Sequence, residues 1–326
     1  MRLSQKFSIG LLALMLASFT SLVSAQAWPN KPVKIVVPFP PGGASDASGR
    51  VYAQFLSEKF GQSFIVENRA GAGGEIGAEA VAKSPPDGYT FLLGALGSHS
   101  IHAAMPSQKP AYDFATAFAC ISMTSSTPMI LAVNSSLPAK NVQELIALAK
   151  AQPNKLSFGS AGPGTPQQMA GELFKAMTNT QLLHIPYKGS GPAVADLLGG
   201  QIDMVFDTMP ALLPHVSTGK IRLLGVTSAK RAPSLPDLAT IQEQGVAGYE
   251  VTNAYALLAP AGTSPEIVNR LSREVQALSK TPEVISTFKK QGSEALGTTP
   301  EETCRLLKDE MAKWANVVKR SSSVLN

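Results

Sequence analysis

With 326 residues, of which 44% are hydrophobic and 16% charged, the chain is long enough to form two domains with substantial cores. A net charge of +5 suits the attraction of small anions, but the basic residues form no run of the kind that binds nucleic acid or a membrane surface. Two cysteines cannot make a zinc site, and the four histidines have no metal-ligand spacing. We therefore expect no metal, no cofactor and no nucleic-acid partner.

The first residues follow the order of a bacterial export signal. Arg2 and Lys6 give a positive start, residues 9–17 form a short apolar core, and small residues follow. The apolar core is too short for a comfortable membrane span, and no cysteine ends the segment to carry a lipid. This order predicts a signal peptide over residues 1–27 and a mature protein that is released into the periplasm.

Beyond the leader, short apolar runs alternate with amphipathic segments, and glycine or proline marks the joins. This alternation is typical of βαβ units around a largely parallel sheet. In chain order, the first set is predicted to comprise a strand at 33–39, a helix at 47–60, a strand at 64–67, a helix that ends at 82 and a strand at 89–94.

A second set of the same kind begins with a strand at 129–133. Its further predicted elements are helices at 142–151, 166–177, 192–198 and 210–218 and strands at 156–160, 182–187, 202–207 and 221–227. A strand at 250–258 follows, and then three helices that each start with proline, after Ser264, Thr281 and Thr299.

The chain passes between these two sets twice, near residue 128 and near residue 250. Each set has enough apolar segments to bury a core of its own. The sequence thus predicts an α/β protein of two lobes, with residues 28–128 plus 252–326 in lobe 1 and residues 129–251 in lobe 2.

Four strand-to-helix joins are rich in glycine, proline and hydroxyl residues, at 40–46, 160–165, 188–191 and 207–208. In a doubly wound sheet such joins lie at the carboxyl ends of the strands, where ligands bind. The helix behind each join offers unpaired N–H groups and a positive dipole end, which together attract anions. Tight turns and helix caps would explain any one join, but four of them favour a shared anion-binding cleft.

The first join places Gly42 and Gly43 directly ahead of a helix. Their lack of a side chain lets the backbone come close to a ligand, and any positive φ there would require glycine. Ser45 or Asp46 is the expected cap of this helix. The carboxylate of Asp46 could equally point into the cleft.

The second set offers a comparable join. Gly164 and Thr165 precede a helix, and Thr165 with Gln168 has the spacing of a capping box. Asp207 ends an apolar strand, where its carboxylate either caps the next helix or points into the cleft. Lys188, beside a glycine, is expected to be a solvated surface residue with little weight as the partner of an anion.

Signatures of catalysis are incomplete. The glycines at 159–164 have the outer spacing of a P-loop, but the lysine that grips phosphate is absent, and no G-x-S-x-G nucleophile elbow occurs. A secreted α/β enzyme would have to use Asp46, Asp207 or His99 as acid–base groups. Because no nucleophile–base pair accompanies them, we expect no catalytic residues.

Seven short segments stand in a combination and order that a known family shares. They are VVPFPPGG at 36–43 with Asp46 and Arg50, VENRAGAGG at 66–74, PDGYT at 86–90, SFGSAG at 157–162, PYKG at 186–189, DLLGG at 196–200 and APAGT at 259–263. Together they span nearly the whole mature chain, which closely resembles the Bug-type periplasmic solute-binding proteins of tripartite tricarboxylate transporters.

This resemblance implies the Venus flytrap architecture of periplasmic binding proteins, in which two Rossmann-like lobes surround a deep cleft. It also implies that the loop after the first strand holds a ligand carboxylate through backbone N–H groups and ordered waters. The ligand-binding residues that it implies are Phe39, Pro41, Gly42, Gly43, Ala44, Ser45 and Asp46 in lobe 1 and Ser160, Gly162, Gly164, Thr165 and Asp207 in lobe 2.

The function implied is capture of a small carboxylate-bearing solute, such as a di- or tricarboxylate, an acidic amino acid or an aromatic acid. We expect a monomer whose partners are membrane subunits of the transporter, although a sensor that feeds a membrane signalling protein fits the same sequence. Near the second crossing, the run Asn253-Ala254-Tyr255 stands where the family commonly has tryptophan, so the ligand cannot be inherited from the family. Whether Cys120 and Cys304 pair stays open.

The leader predicts that the mature N-terminus is Gln26 or Trp28. Signal peptidase cleaves after small residues, and Ala25 and Ala27 both satisfy its pattern. Intact-mass measurement of protein from a periplasmic extract will distinguish the two. A retained Met1 or a lipid adduct would contradict export by a cleaved signal peptide.

Overall fold

The structure, a computed structural model, describes residues 28–105 and 110–321, and the predicted signal peptide at 1–27 lies outside this part. The chain divides into a short unit of residues 1–30 and a second unit of residues 31–326, to which the following description applies. Within the described residues, no helix has the length and apolar character that a membrane span requires.

Strands and helices alternate through most of this second unit. The strands are β1 (Val33–Val37), β2 (Phe64–Asn68), β3 (Thr90–Ala95), β4 (Phe118–Asn134), β5 (Ser157–Ser160), β6 (Leu183–Pro186), β7 (Met204–Thr208), β8 (Ile221–Val226), β9 (Thr252–Pro260) and β10 (Glu294–Ala295). The helices are α1 (Ala44–Phe60), α2 (Glu75–Ala82), α3 (Leu96–Ala104), α4 (Val142–Ala151), α5 (Pro166–Thr178), α6 (Ser190–Leu198), α7 (Met209–Val216), α8 (Pro265–Leu278), α9 (Pro282–Lys290) and α10 (Pro300–Ser321). A short 3-10 helix, Ala72–Gly74, precedes α2.

The strands form one continuous sheet in the order β2-β1-β3-β9-β4-β7-β5-β6, and β8 and β10 also pair with β4. β1 runs parallel to β2 and β3, and β5 runs parallel to β6 and β7, as the βαβ pattern of the sequence predicts. β4 and β9 run antiparallel to their neighbours at the centre. We call the half that contains β1, β2 and β3 lobe 1 and the half that contains β5 to β8 lobe 2.

The 17-residue strand β4 belongs to both halves. As far as Pro128 it pairs with β9, and from Met129 onward it pairs with β7 and β8. The sequence predicted only the apolar second half of this strand. Its first half is rich in serine and threonine, which are buried here and hydrogen-bonded: the hydroxyl of Thr124, for example, donates to the carbonyl of Tyr255 at 3.1 Å.

Helix α3 was not predicted, and it forms part of the join between the halves. Nearly all of its residues are buried, so it lacks the polar face that reveals a surface helix in a sequence. Ile101 of α3 and Trp314 and Val318 of α10 pack into the apolar core of lobe 2, among the side chains of β5 and β7. These two helices therefore tie lobe 1 elements to the core of lobe 2.

The three tail helices begin where the sequence predicts. The hydroxyls of Ser264, Thr281 and Thr299 accept hydrogen bonds from the backbone N–H groups of the first turns of α8, α9 and α10. Cys120 of β4 and Cys304 of α10, whose pairing the sequence left open, form a disulfide across 184 residues. This bond fastens the last helix to the central strand.

The double variant Cys120→Ser/Cys304→Ser should lose about 2–5 kcal/mol of unfolding free energy, because the cross-link restricts the unfolded chain. Urea unfolding followed by circular dichroism measures the change. As a control, dithiothreitol should lower the unfolding midpoint of the wild-type protein and leave that of the double variant unchanged. Equal midpoints for the oxidised wild-type protein and the double variant would show that the disulfide contributes nothing.

Candidate ligand-binding cleft

A cleft of about 1010 Å³ lies at the carboxyl ends of the strands of both lobes. Lobe 1 lines it with residues 39–45 and 70–74, Ala95 and Ser98. Lobe 2 lines it with residues 161–163, 165–167, 187–192, 194, 195 and 198 and with Thr208, Ala211 and His215. Asn253 and Tyr255 of β9 complete the wall where the chain crosses between the lobes.

The loop from β1 to α1 owes its shape to two glycines. Gly42 has a φ of 90°, which strongly favours glycine, whereas Gly43 has an ordinary extended φ of −87°. At both positions an added Cβ would meet no atom within 4 Å, so a side chain would extend into open space on the cleft wall. Glycine is therefore favoured at 42 by its conformation, whereas at 43 a side chain would meet no close contact and would occupy space beside the cleft.

The predicted cap of α1 by Ser45 or Asp46 is wrong. The helix begins at Ala44, its N-cap is Gly43, and no side chain caps it. The first helical N–H bond is the one from Ala47 to Gly43, because a helix cannot satisfy its first N–H groups internally. The amide groups at the start of α1 therefore stay available to a ligand.

Asp46 supports this loop from behind and is not on the cleft wall. Its carboxylate accepts hydrogen bonds from Gly42 N at 3.1 Å, Arg50 Nε at 2.9 Å and Asn68 Nδ2 at 2.9 Å, and Asn68 also donates to the carbonyl of Phe39 at 3.0 Å. Burial raises the pKa of Asp46, but these hydrogen bonds outweigh burial and hold it below its usual value. The carboxylate is thus ionised and fixes both ends of the loop.

Ser45 presents the hydroxyl that is best placed to meet a ligand in lobe 1. Only 4% of the residue is exposed, it lies on the cleft wall, and its Oγ has no hydrogen-bond partner among the described residues. A buried hydroxyl without a partner costs free energy. A ligand oxygen in the cleft would remove that cost.

The loop after β5 is braced by its own side chains. The hydroxyl of Ser160 accepts a hydrogen bond from Gly162 N at 3.2 Å and contacts His184 Nε2 at 2.7 Å. Burial, with a smaller effect of Lys175, lowers the pKa of His184 to about 4, so this histidine is neutral. Ser160 is therefore behind the wall, and Gly162 is on it.

Thr165 caps α5 as predicted, and this use limits what it can offer a ligand. Its hydroxyl accepts from Gln168 N at 3.5 Å and donates to the carbonyl of Gly162 at 2.6 Å. The side chain of Gln168 accepts from Gly164 N at 2.8 Å. Thr165 lines the cleft, whereas Gly164 faces away from it with a φ of 71°.

Asp207 lies behind two cleft-lining side chains that the sequence did not single out. Its Oδ1 accepts from Ser190 Oγ at 2.9 Å, Gln167 Nε2 at 3.3 Å and Thr208 N at 2.7 Å. Burial raises the pKa of this carboxyl above its usual value. Asp207 thus orients Ser190 and Gln167. The sequence could have suggested Ser190 by its position in a glycine-rich join, and Gln167 by its position in the first turn of a helix.

The loop at 70–74 lines the cleft but was not among the four predicted joins. Gly71, Gly73 and Gly74 all have positive φ, and a Cβ on Gly73 would collide with the ring of His102. In the sequence these glycines appear within the family-like segment at 66–74, which was not assigned to the cleft. Their close spacing was the signal that could have placed this loop at the cleft.

The acid–base groups of the enzyme alternative are separated from one another. His99 contacts Glu75 through Nδ1 at 3.0 Å, is fully buried and is not on the wall. Asp46 and Asp207 are each bound within their own lobe, as described above. Of the wall residues that lie in the described ranges, none is acidic or an arginine, and the basic ones are Lys188 and His215. In the described ranges, no group of three or more histidine, cysteine, aspartate or glutamate residues could hold a metal ion.

Two α/β lobes around an anion-receptive cleft define the class of periplasmic solute-binding proteins. Residues 49–322 match the family described as the tripartite tricarboxylate transporter family receptor, and the chain belongs to this family. Protein BugT of Bordetella pertussis is 36% identical over 309 residues, which cover 95% of this chain and 95% of BugT.

Solved structures of related proteins confirm the predicted fold. Rpa4515 of R. palustris, solved with adipate, has a TM-score of 0.86 and 39% identity, covering 90% of this chain and 98% of that one. The periplasmic binding protein BugD has a TM-score of 0.83 and 34% identity over 90% and 99% of the two chains. MatC of Rhodopseudomonas palustris, solved with malate, has a TM-score of 0.80 and 28% identity over 89% and 100%.

Gly43→Val should abolish binding of a small dicarboxylate, because the branches of the valine side chain would occupy the space where the loop backbone meets the cleft. Residue 43 has an ordinary φ, so the variant should fold. It should lose about 1 kcal/mol of unfolding free energy, because valine is a poorer N-cap than glycine. Lys188→Ala removes an exposed charge and should weaken binding at most about five-fold. Isothermal titration calorimetry with succinate, malate and adipate measures both effects, and thermal unfolding checks that each variant folds.

The reverse ranking would contradict this picture of the site. If Lys188→Ala abolishes binding and Gly43→Val leaves it intact, a side-chain charge and not the loop backbone holds the anion.

Proposed function

We propose that this protein is a periplasmic receptor that captures a small carboxylate-bearing solute for a tripartite tricarboxylate transporter. The observation that carries the proposal is the start of α1. There the free N–H groups and Ser45, whose buried hydroxyl has no partner, lie beside a cleft without an acidic side chain on its described wall. A carboxylate matches both the donors and the positive end of the helix dipole.

The ligands of related proteins support a carboxylate. Rpa4515 is described with adipate and MatC with malate, and both chains are covered almost completely by this one. These two acids share carboxylate groups but differ in chain length and in substitution. They therefore support a carboxylate as the ligand group and do not define the rest of the solute.

The proposed binding residues act in two ways. Those on the wall, which would contact the ligand, are Phe39, Pro41, Gly42, Gly43, Ala44, Ser45, Gly162 and Thr165. Those behind the wall, which would hold the loops in shape, are Asp46, Ser160, Gly164 and Asp207.

Capture requires that the lobes close on the ligand. We propose residues 28–128 plus 252–326 as lobe 1 and 129–251 as lobe 2, since β4 changes partners after Pro128 and β9 starts at Thr252. Two crossings leave few backbone dihedrals to change, which is the geometry of a hinge. The end of α10 packs with lobe 2 and would follow that lobe on closure.

Export, partners and the absence of catalysis complete the proposal. The leader at 1–27 would carry the chain to the periplasm, where membrane subunits of the transporter would accept the solute from a monomeric receptor. The carboxylates and histidines that an enzyme would need are bound in separate structural networks. We therefore propose a receptor that returns its ligand unchanged.

Protein purified from the periplasm without refolding should carry an acid, seen by native mass spectrometry as a mass difference from the denatured protein. Calorimetry with succinate, malate, adipate, glutamate and phenylacetate should then identify at least one ligand. At 100 times its dissociation constant that ligand should add about 2.7 kcal/mol of stability. Chromatography of the same mixtures should recover every acid in its starting amount.

Two results would refute the proposal. Sustained consumption of an acid that stops in Asp207→Asn would make the protein an enzyme. The assignment as a carboxylate receptor would also be refuted if the native protein carried no ligand from the periplasm and bound no acid of the panel.

A further inference from the structure

We call the part of the cleft wall formed by β9 the floor, and the loop from β1 to α1 the carboxylate loop. The floor carries polar side chains that do not belong to the carboxylate loop. Asn253 and Tyr255 stand two residues apart on β9, so they point to the same face of the strand, and both line the cleft. Exposed fractions of 6% for Asn253 and 4% for Tyr255 show that both are almost enclosed.

Tyr255 is held by apolar contacts through its ring. It clusters with Ala44 and Ala95, and Phe39 packs against the group. β9 pairs Tyr255 with Ala95 of β3 on one side and with Ser125 of β4 on the other. The ring thus lies under the carboxylate loop of lobe 1 and has a fixed orientation.

The polar ends of these two side chains have no partners within the protein. Across the described residues, neither the hydroxyl of Tyr255 nor the side-chain amide of Asn253 makes a hydrogen bond, although both residues are more than nine-tenths buried. Because these polar ends have no partner in the described protein and are not among its fully enclosed atoms, they can hydrogen-bond with a ligand in the cleft.

The charge around these groups is unsuited to a second carboxylate. No arginine or lysine among the described residues makes a hydrogen bond or ion pair with Asn253 or Tyr255, and the charged group that acts on Tyr255 is the acid Asp207. Burial first, and then Asp207, raises the pKa of Tyr255 above its usual range, so its hydroxyl stays protonated and can donate. Hydroxyl and amide groups donate and accept, which matches a neutral oxygen substituent.

We propose that Asn253 and Tyr255 form a second subsite that selects acids bearing a hydroxyl or carbonyl oxygen on the carbon chain. This inference rests on the proposed carboxylate receptor and narrows its substrate class. The carboxylate is held at the start of α1, and the neutral oxygen reaches the floor at β9.

Pairs of acids that differ by one oxygen test the subsite directly. The pairs are succinate with malate, glutarate with 2-hydroxyglutarate, propionate with lactate and phenylacetate with mandelate. Calorimetry on the wild-type protein should show about 3- to 10-fold tighter binding of the oxygenated member in the pairs that fit the cleft, as expected for one hydrogen bond.

Tyr255→Phe and Asn253→Leu should each reduce that preference about 3- to 10-fold and leave the dissociation constant of the plain acid within about two-fold. Because the hydroxyl of Tyr255 has no internal partner, Tyr255→Phe should keep its unfolding midpoint. Tyr52→Phe is the matched control, since the hydroxyl of Tyr52 donates to the Thr124 carbonyl at 2.9 Å, outside the cleft. It should lower stability and leave the preference within each pair unchanged.

The outcomes separate the two proposals. An unchanged preference in both cleft variants, or equal weakening of both members of a pair, would overturn the subsite and leave the carboxylate receptor standing. The same holds if the wild-type protein binds plain acids without preferring their oxygenated partners. Failure of the wild-type protein to bind any of the eight acids would overturn the subsite, and failure with adipate and glutamate as well, with no ligand carried from the periplasm, would overturn both.

Discussion

The whole arrangement depends on one strand that is shared by two halves of a sheet. β4 pairs with β9 before Pro128 and with β7 and β8 after Met129. Because every residue of a strand is fixed to its neighbours by backbone hydrogen bonds, β4 sets the register of both lobes at once. The parallel strands on either side therefore direct their carboxyl ends toward a common space, and the joins that follow them become the walls of the cleft. The disulfide between Cys120 and Cys304 anchors the last helix to this same strand.

The described wall of the cleft combines helix starts with few charged side chains. The joins after β1, β5 and β6 each lead into a helix whose first N–H groups lack helical partners. The carboxylates near the cleft stabilise its walls. Asp46 hydrogen-bonds with the loop from β1 to α1, and Asp207 hydrogen-bonds with Ser190 and Gln167. Among the described residues, acidic groups thus shape the wall without lining it, and the wall offers backbone N–H groups, hydroxyls and the basic side chains of Lys188 and His215.

Much of the fold follows from local sequence signals, and the exceptions have physical causes. α4 has the predicted bounds because its apolar residues recur on one face, and Asn141 caps its start. α3 escaped prediction because burial on all sides removes that periodicity. The carboxylate loop could be located from its glycines, but the cap assigned to Ser45 or Asp46 was wrong, since Gly43 itself fills the position. No local pattern could place Asn253 and Tyr255 on the cleft floor, because their role arises from pairing between distant strands.

The unpartnered groups on β9 indicate how the cleft would distinguish one acid from another. The amide of Asn253 and the hydroxyl of Tyr255 have no hydrogen-bond partner among the described residues, and both side chains line the cleft. A ligand that supplies those bonds gains affinity at no further cost in ordering, because β9 and the packed ring of Tyr255 already hold the groups in place. Selectivity for a solute would thus come from groups that the fold holds in place before binding.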